Sequence, residues 1–229
     1  MNNPGFFAFL LKLLHMRKEE RFRLFLDYFK LHRPVAETEL SYRDPYQLAV
    51  AVILSAQCTD KRVNIITPPF FQVFPDVHSL AEADPAKVFE LIKSCSYPNN
   101  KTRNLVGMAK SLVENYNGIL PPDIDEMQKI PGIGRKTANV LASVIYNKEV
   151  IAVDTHVFRV SARIGLTSNA KNPLQAEQQL IEHIPGNLRS IAHHWLILHG
   201  RYVCVARKPK CGECGLKTFC KFYLTNQAT

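Results

Sequence analysis

Apolar residues recur along this chain at intervals of three and four, and two-residue alternation is almost absent. Phe22, Phe25, Leu26 and Phe29 form one stripe, and Leu105, Met108, Ala109, Leu112 and Val113 a second, each the pattern of a half-buried helix. Val140, Leu141, Val144 and Ile145 predict a third helix, Ala176, Leu180, Ile181 and Ile184 a fourth, and Ile191, Trp195 and Leu198 a fifth. Pro45, Pro121-Pro122 and Asn172-Pro173 stand at expected helix starts, where a fixed φ and a missing N–H do no harm. Residues 44–57 are apolar nearly all round and predict a helix buried at the centre of a bundle. The fold class that follows is all-α.

The composition, 46% hydrophobic and 21% charged over 229 residues, supplies a sizeable core and excludes a disordered, collagen-like or coiled-coil chain. Charge changes the picture more. Twenty-nine Lys and Arg against 20 Asp and Glu leave a net +9, which favours a polyanionic partner, nucleic acid before membrane. No apolar run approaches the roughly 20 residues that cross a bilayer. The short apolar segment Phe6 to Leu14 is interrupted by Lys12, follows no cationic stretch and precedes no small-residue cleavage site, so no secretory signal is expected; Met16 is an alternative start. Four of the six cysteines crowd the last 26 positions, unlike the spread framework of a small secreted domain, and a reducing compartment, the cytoplasm, is expected.

Three clusters carry chemistry. Cys204, Cys211, Cys214 and Cys220 follow the spacing C-x6-C-x2-C-x5-C, in a loop short enough to wrap four sulfurs round one centre. All-sulfur ligation selects zinc or an iron–sulfur cluster, and spacing leaves both open. Cys58 and Cys95 each stand alone in apolar or helical context and read as inert thiols. In Ile130-Pro131-Gly132-Ile133-Gly134-Arg135-Lys136-Thr137, two glycines precede a helix start, which suits a tight hairpin whose bare N–H groups meet an anion; a plain helix–turn–helix connection suits the same residues. Lys136 falls in the first turn of the second helix, where the positive helix end and Arg135 favour a neutral, nucleophilic amine. Asp154 is the one carboxylate in an apolar entry, Val150 to Val153, and either caps the next helix or faces a cleft, or does both.

LSAQCTD at 54–60, IPGIGRKTAN at 130–139, IAVDTHVFR at 151–159, HHWLILHGRYVC at 193–204 and the cysteine run together resemble the endonuclease III family of helix–hairpin–helix DNA glycosylases and AP lyases. The resemblance runs from about Phe22 to Cys220 and is carried by the joint order of the motifs. It implies a six-helix barrel domain at 38–148 and a discontinuous helical domain of 1–37 and 149–229, with a [4Fe-4S] cluster on residues 204–220. It also implies double-stranded DNA with a damaged pyrimidine or abasic site as partner, a monomer, and a location on the nucleoid if the source is bacterial. The implied catalytic pair is Lys136, which attacks the sugar C1′ of a flipped nucleotide, and Asp154, which assists. Gly132, Gly134, Arg135 and His156 would contact DNA, Gln57 would fill the gap left by the flipped base, and the loop cations Arg207, Lys208 and Lys210 would face the backbone.

The chain departs from the family where alanine usually follows the glutamine, here Cys58, and where Cys95-Ser96-Tyr97-Pro98-Asn99 replaces a glycine-leucine-tyrosine-asparagine wedge. Tyr97 is expected to stack on bases in its place. Adenine-specific and mismatch-specific relatives lack the hairpin lysine, and a non-catalytic DNA-binding module would need neither Lys136 nor Asp154.

Overall fold

The computed structural model describes residues 16–228, so the Phe6–Leu14 segment lies outside the described residues. Among the described residues there are twelve α-helices and one 3-10 turn, and no strand. None of these helices is long and apolar enough to cross a membrane.

The chain divides into two compact units. The first in sequence to be completed is Thr38–Lys148. It contains α2 (Pro45–Ser55), α3 (Asp60–Val73), α4 (Val77–Ala81), α5 (Pro85–Ile92), α6 (Pro98–Tyr116), α7 (Ile124–Gln128) and α8 (Arg135–Tyr146). Helix α2 runs through the middle: every residue from Leu48 to Leu54 is buried, and α3, α6 and α8 pack around it. Asp44 starts it by accepting from the Gln47 N–H at 2.8 Å, and Pro45 occupies its first position. It ends at Ser55, two residues short of the expected 57, where Ala56 leaves helical geometry (ψ 113°) and Lys101 Nζ donates to the Leu54 carbonyl (2.7 Å).

The other unit joins the described residues up to Glu37 to those from Glu149 onward. Its helices are α1 (Lys18–His32), α9 (Thr155–Ile164), α10 (Pro173–Ile181), α11 (Gly186–Tyr202) and α12 (Lys221–Ala228), with the 3-10 turn Cys211–Glu213 before the last. Phe22, Phe25, Leu26 and Phe29 of α1 are all buried. Phe29 stacks on Trp195 with centroids 5.5 Å apart, and the indole N–H donates to the Arg33 carbonyl at 2.7 Å. A buried aromatic of this kind contributes roughly 2–3 kcal/mol. The buried face of α11 is Ala192, Trp195, Leu196 and His199; Ile191 and Leu198 are only half-buried, so the sequence stripe is rotated. Three histidines of this helix, His193, His194 and His199, are buried too, and an apolar count passes over them.

Candidate functional site

The hairpin between α7 and α8 is pinned from inside by Ile130 and Ile133, both buried, while Pro131, Gly134 and Arg135 are exposed. The Ile133 N–H closes the turn on the Ile130 carbonyl at 3.1 Å. Gly132 has φ +82°, and a Cβ there would lie 2.8 Å from Asn104 Cβ, so conformation and space both require glycine. Gly134 differs. A Cβ at that position would meet nothing within 4 Å, and Gly134, as N-cap, provides no side-chain cap to the first turn of α8. Lys136, half-buried, is the second residue of that helix.

Asp154 sits at the start of α9 and its Oδ1 accepts from the N–H groups of His156 and Val157, both at 2.8 Å. Its Oδ2 lies 3.8 Å from His156 Nδ1, with the carboxylate about 20% exposed. The capping role is therefore present, through Oδ1, and the carboxylate keeps a partial exposure to solvent.

Six non-glycine residues among those described lie in the left-handed region, Gln57, Tyr97, Asn117, Asn147, Asn169 and Lys208; Gln57 (φ +53°) follows α2 and Tyr97 (φ +55°) precedes α6. The conformation at Tyr97 is unfavourable twice over, because Pro98 follows it, and the ring is 61% exposed. Strain of this kind persists where surrounding structure enforces it and clusters at sites that act. Sequence reasoning treated Cys58 and Cys95, which flank these residues, as isolated; the structure corrects this, with the Cys95 thiol 3.3 Å from Cys58 Sγ.

Cys204, Cys211, Cys214 and Cys220 line a single pocket with Ile164, His199, Leu216 and Phe222. A tetrahedral zinc would hold sulfurs about 2.3 Å from one point. Four thiols lining one pocket are the donor set of a zinc ion or of an iron–sulfur cluster, so these residues fit an iron–sulfur group without excluding zinc. Burial pushes the Cys211 and Cys214 thiols up and Cys220 up to about 11, so loading with cationic iron must displace thiol protons.

Residues that the sequence did not single out hold this loop. Arg163 donates to the carbonyls of Val205 (2.8 Å) and Ala206 (2.9 Å), and Arg159 to those of Gly200 (2.9 Å) and Cys204 (3.2 Å). Arg21, buried, donates to the Ile164 and Phe219 carbonyls. His199 Nε2 lies 3.5 Å from Cys214 Sγ, and burial followed by the Arg33 charge lowers this histidine to about 4, leaving it neutral. Arg207, Lys208 and Lys210 are exposed on the outside of the same loop.

Comparison with known proteins decides what the arrangement belongs to. Residues 50–185 match the HhH-GPD superfamily base excision DNA repair protein, and residues 204–220 match the iron–sulfur binding domain of endonuclease III. The chain is 43% identical over 213 residues to endonuclease III of Synechocystis sp., covering 92% of this chain and 96% of that protein. It is 38% identical over 207 residues to endonuclease III of Escherichia coli, covering 90% and 97%.

The chain belongs to the endonuclease III family.

A solved structure described as a trapped endonuclease III–DNA covalent intermediate superposes with a TM-score of 0.88 at 39% identity, covering 93% of this chain and all of that one. As a member of the endonuclease III family, the chain is a base-excision-repair DNA glycosylase and AP lyase. The four cysteines are the ligands available for its [4Fe-4S] cluster, which when bound cross-links the loop from Cys204 to Cys220.

Proposed function

We propose that this endonuclease III family enzyme removes oxidised pyrimidines from double-stranded DNA and cleaves the abasic strand by β-elimination through a Schiff base on Lys136. The observation that carries the reading is the place of Lys136, half-buried in the first turn of α8 two residues beyond the exposed, uncrowded Gly134. An amine beside an anion-binding turn meets the sugar that the bound phosphate belongs to.

The hairpin amides at Gly132 and Gly134 and the Arg135 guanidinium grip a backbone phosphate, and the damaged nucleotide turns out of the stack. Gln57 and Tyr97 occupy the place it leaves, the ring stacking on neighbouring bases. Lys136 Nζ forms a bond to C1′ as the bond from C1′ to the base breaks, the electron pair leaving with the base. The Asp154 carboxylate stabilises positive charge at the sugar and accepts the proton that the ammonium gives up, with His156 beside it on the phosphate side. Ring opening gives the protonated imine, which draws electrons from C2′. Loss of the C2′ proton then expels the 3′ phosphate. The protein works as a monomer on this scheme, and the loop cations Arg207, Lys208 and Lys210 add backbone contacts.

The test is borohydride trapping on a duplex carrying one thymine glycol. Wild type should give a covalent adduct, and Lys136→Ala none while keeping abasic-DNA binding. Asp154→Asn, whose amide oxygen still caps α9, should slow base release by roughly 10²-fold without loss of stability. An adduct in Lys136→Ala, or full activity in both variants, would overturn the assignment. Binding without an adduct in wild type would indicate a monofunctional glycosylase.

A further inference from the structure

Cys58 and Cys95 lie on two separate turns and meet. Cys58 follows α2 in the turn 56–59 and is half-buried; Cys95 follows α5, is 4% exposed and makes a 3.3 Å contact with Cys58 Sγ. Closing that gap to the roughly 2.05 Å of a disulfide is a movement of little more than 1 Å, within the reach of a turn. Around the sulfurs the structure is built rather than incidental. Lys101, itself only 4% exposed, directs its ammonium to the Leu54 carbonyl at 2.7 Å and the Cys95 thiol at 3.5 Å. These are its hydrogen-bond partners, and among the described residues no carboxylate pairs with it, so a buried cation stands against the thiol pair. Burial holds the Cys95 thiol above its ordinary range, with Cys58 adding to the effect and the Lys101 charge opposing it.

We infer that Cys58 and Cys95 form a dithiol modification site, oxidised to an intramolecular disulfide by exchange with a small-molecule disulfide such as oxidised glutathione. The half-buried Cys58 reacts first. Its thiolate attacks one glutathione sulfur, forming a mixed disulfide and releasing a glutathione thiolate that takes up the proton Cys58 lost. Cys95 then loses its proton, with the Lys101 ammonium as counter-charge to the thiolate, and attacks Cys58 Sγ. The second glutathione leaves as thiolate and is protonated. Two protein thiols have given two electrons and two protons, and one oxidised glutathione has become two reduced ones.

The position of the pair gives the modification a consequence. Cys58 is the neighbour of Gln57 and Cys95 lies two residues before Tyr97, so the new bond ties together the turns that hold these two left-handed residues. This consequence rests on the proposed DNA contacts of Gln57 and Tyr97; the disulfide itself does not. A displacement near 1 Å at groups that position a substrate can cost a factor of about 10².

The experiment treats the cluster-loaded enzyme with oxidised glutathione while the iron–sulfur absorbance is watched for retention, then maps peptides by mass without reduction. The expected product joins the peptides of Cys58 and Cys95 and is lighter by two hydrogens, forms in neither Cys58→Ala nor Cys95→Ala, and is reversed by dithiothreitol. Glutathione retained on Cys58 alone, or no reaction at either thiol, would overturn the site. Base release and trapping are then compared in reduced and oxidised protein. Oxidation should slow wild type by about tenfold or more and leave Cys58→Ala unchanged. A cross-link with full activity would uphold the dithiol site and remove Gln57 and Tyr97 from the DNA contact, whereas inactive reduced protein would count against the proposed reaction and leave the thiol chemistry standing.

Discussion

The hairpin at 130–137 and the cysteine loop at 204–220 both carry exposed cationic side chains, yet they are held in opposite ways. The hairpin is ordered by its own residues and their immediate support: two buried isoleucines, one obligatory glycine and the closing Ile133 to Ile130 hydrogen bond. The cysteine loop borrows its order from distant sequence. Arg21 of α1 and Arg159 and Arg163 of α9 donate to carbonyls in and around it, and burial raises the Cys211, Cys214 and Cys220 thiols, whose protons a metal must displace. A site that must accept a phosphate quickly gains from being preformed, because no ordering cost falls on binding. A site that holds a cofactor can leave part of its order to that cofactor.

The largest effect separating the two regions is expected from Cys214→Ser. Loss of one thiolate should abolish the broad absorbance near roughly 400 nm and destabilise the unit that carries the loop by on the order of 5 kcal/mol. Hydrogen exchange would then rise across 204–220 while amides at 130–138 keep their protection. Equal loss of protection in the hairpin would show that its order is not local.

Gly132→Ala should come next, and in the other unit. A left-handed φ and a 2.8 Å approach to Asn104 Cβ together predict about 2–3 kcal/mol of destabilisation and weaker abasic-DNA binding, with the iron–sulfur absorbance unchanged. A melting temperature equal to wild type would mean that the turn relaxes to a conformation alanine accepts.

Arg163→Met tests the borrowed order more gently. It removes the donations to Val205 and Ala206 and the guanidinium packing over Phe222 at 4.9 Å, for about 2 kcal/mol. The cluster should remain, and exchange in the loop should quicken before any change appears in the hairpin.

The same contrast explains what could be read along the chain. The hairpin, the Asp154 cap and the start of α2 at Asp44-Pro45 are legible because each is decided within a few residues. The four cysteines are legible as a set because they are close in sequence, although spacing alone did not choose iron over zinc. The Cys58 to Cys95 contact spans 37 positions and the Arg21 to Phe219 hydrogen bond 198, and no periodicity reports either. On α11 the apolar stripe misplaces the buried face, because His193 Nδ1 donates to the Ala152 carbonyl (2.8 Å) and His199 is shielded against the loop. Buried polar side chains with partners are invisible to a count of apolar positions.

Gly134→Ala is the smallest perturbation and the most discriminating. Its Cβ would enter space with no atom within 4 Å, and replacing glycine by alanine at a helix N-cap costs only about 0.5 kcal/mol. Stability should therefore barely change. The methyl group would nonetheless stand where a phosphate approaches the first turn of α8, and abasic-duplex affinity should fall by about tenfold, with the fall largest at low salt where the phosphate contacts count most. Gly132→Ala would lower stability and binding together, whereas Gly134→Ala would lower binding alone. If Gly134→Ala bound DNA as wild type does, the open face of the hairpin would not be where the backbone lies, and a preformed anion site there would have to be given up while the folding role of Gly132 stood.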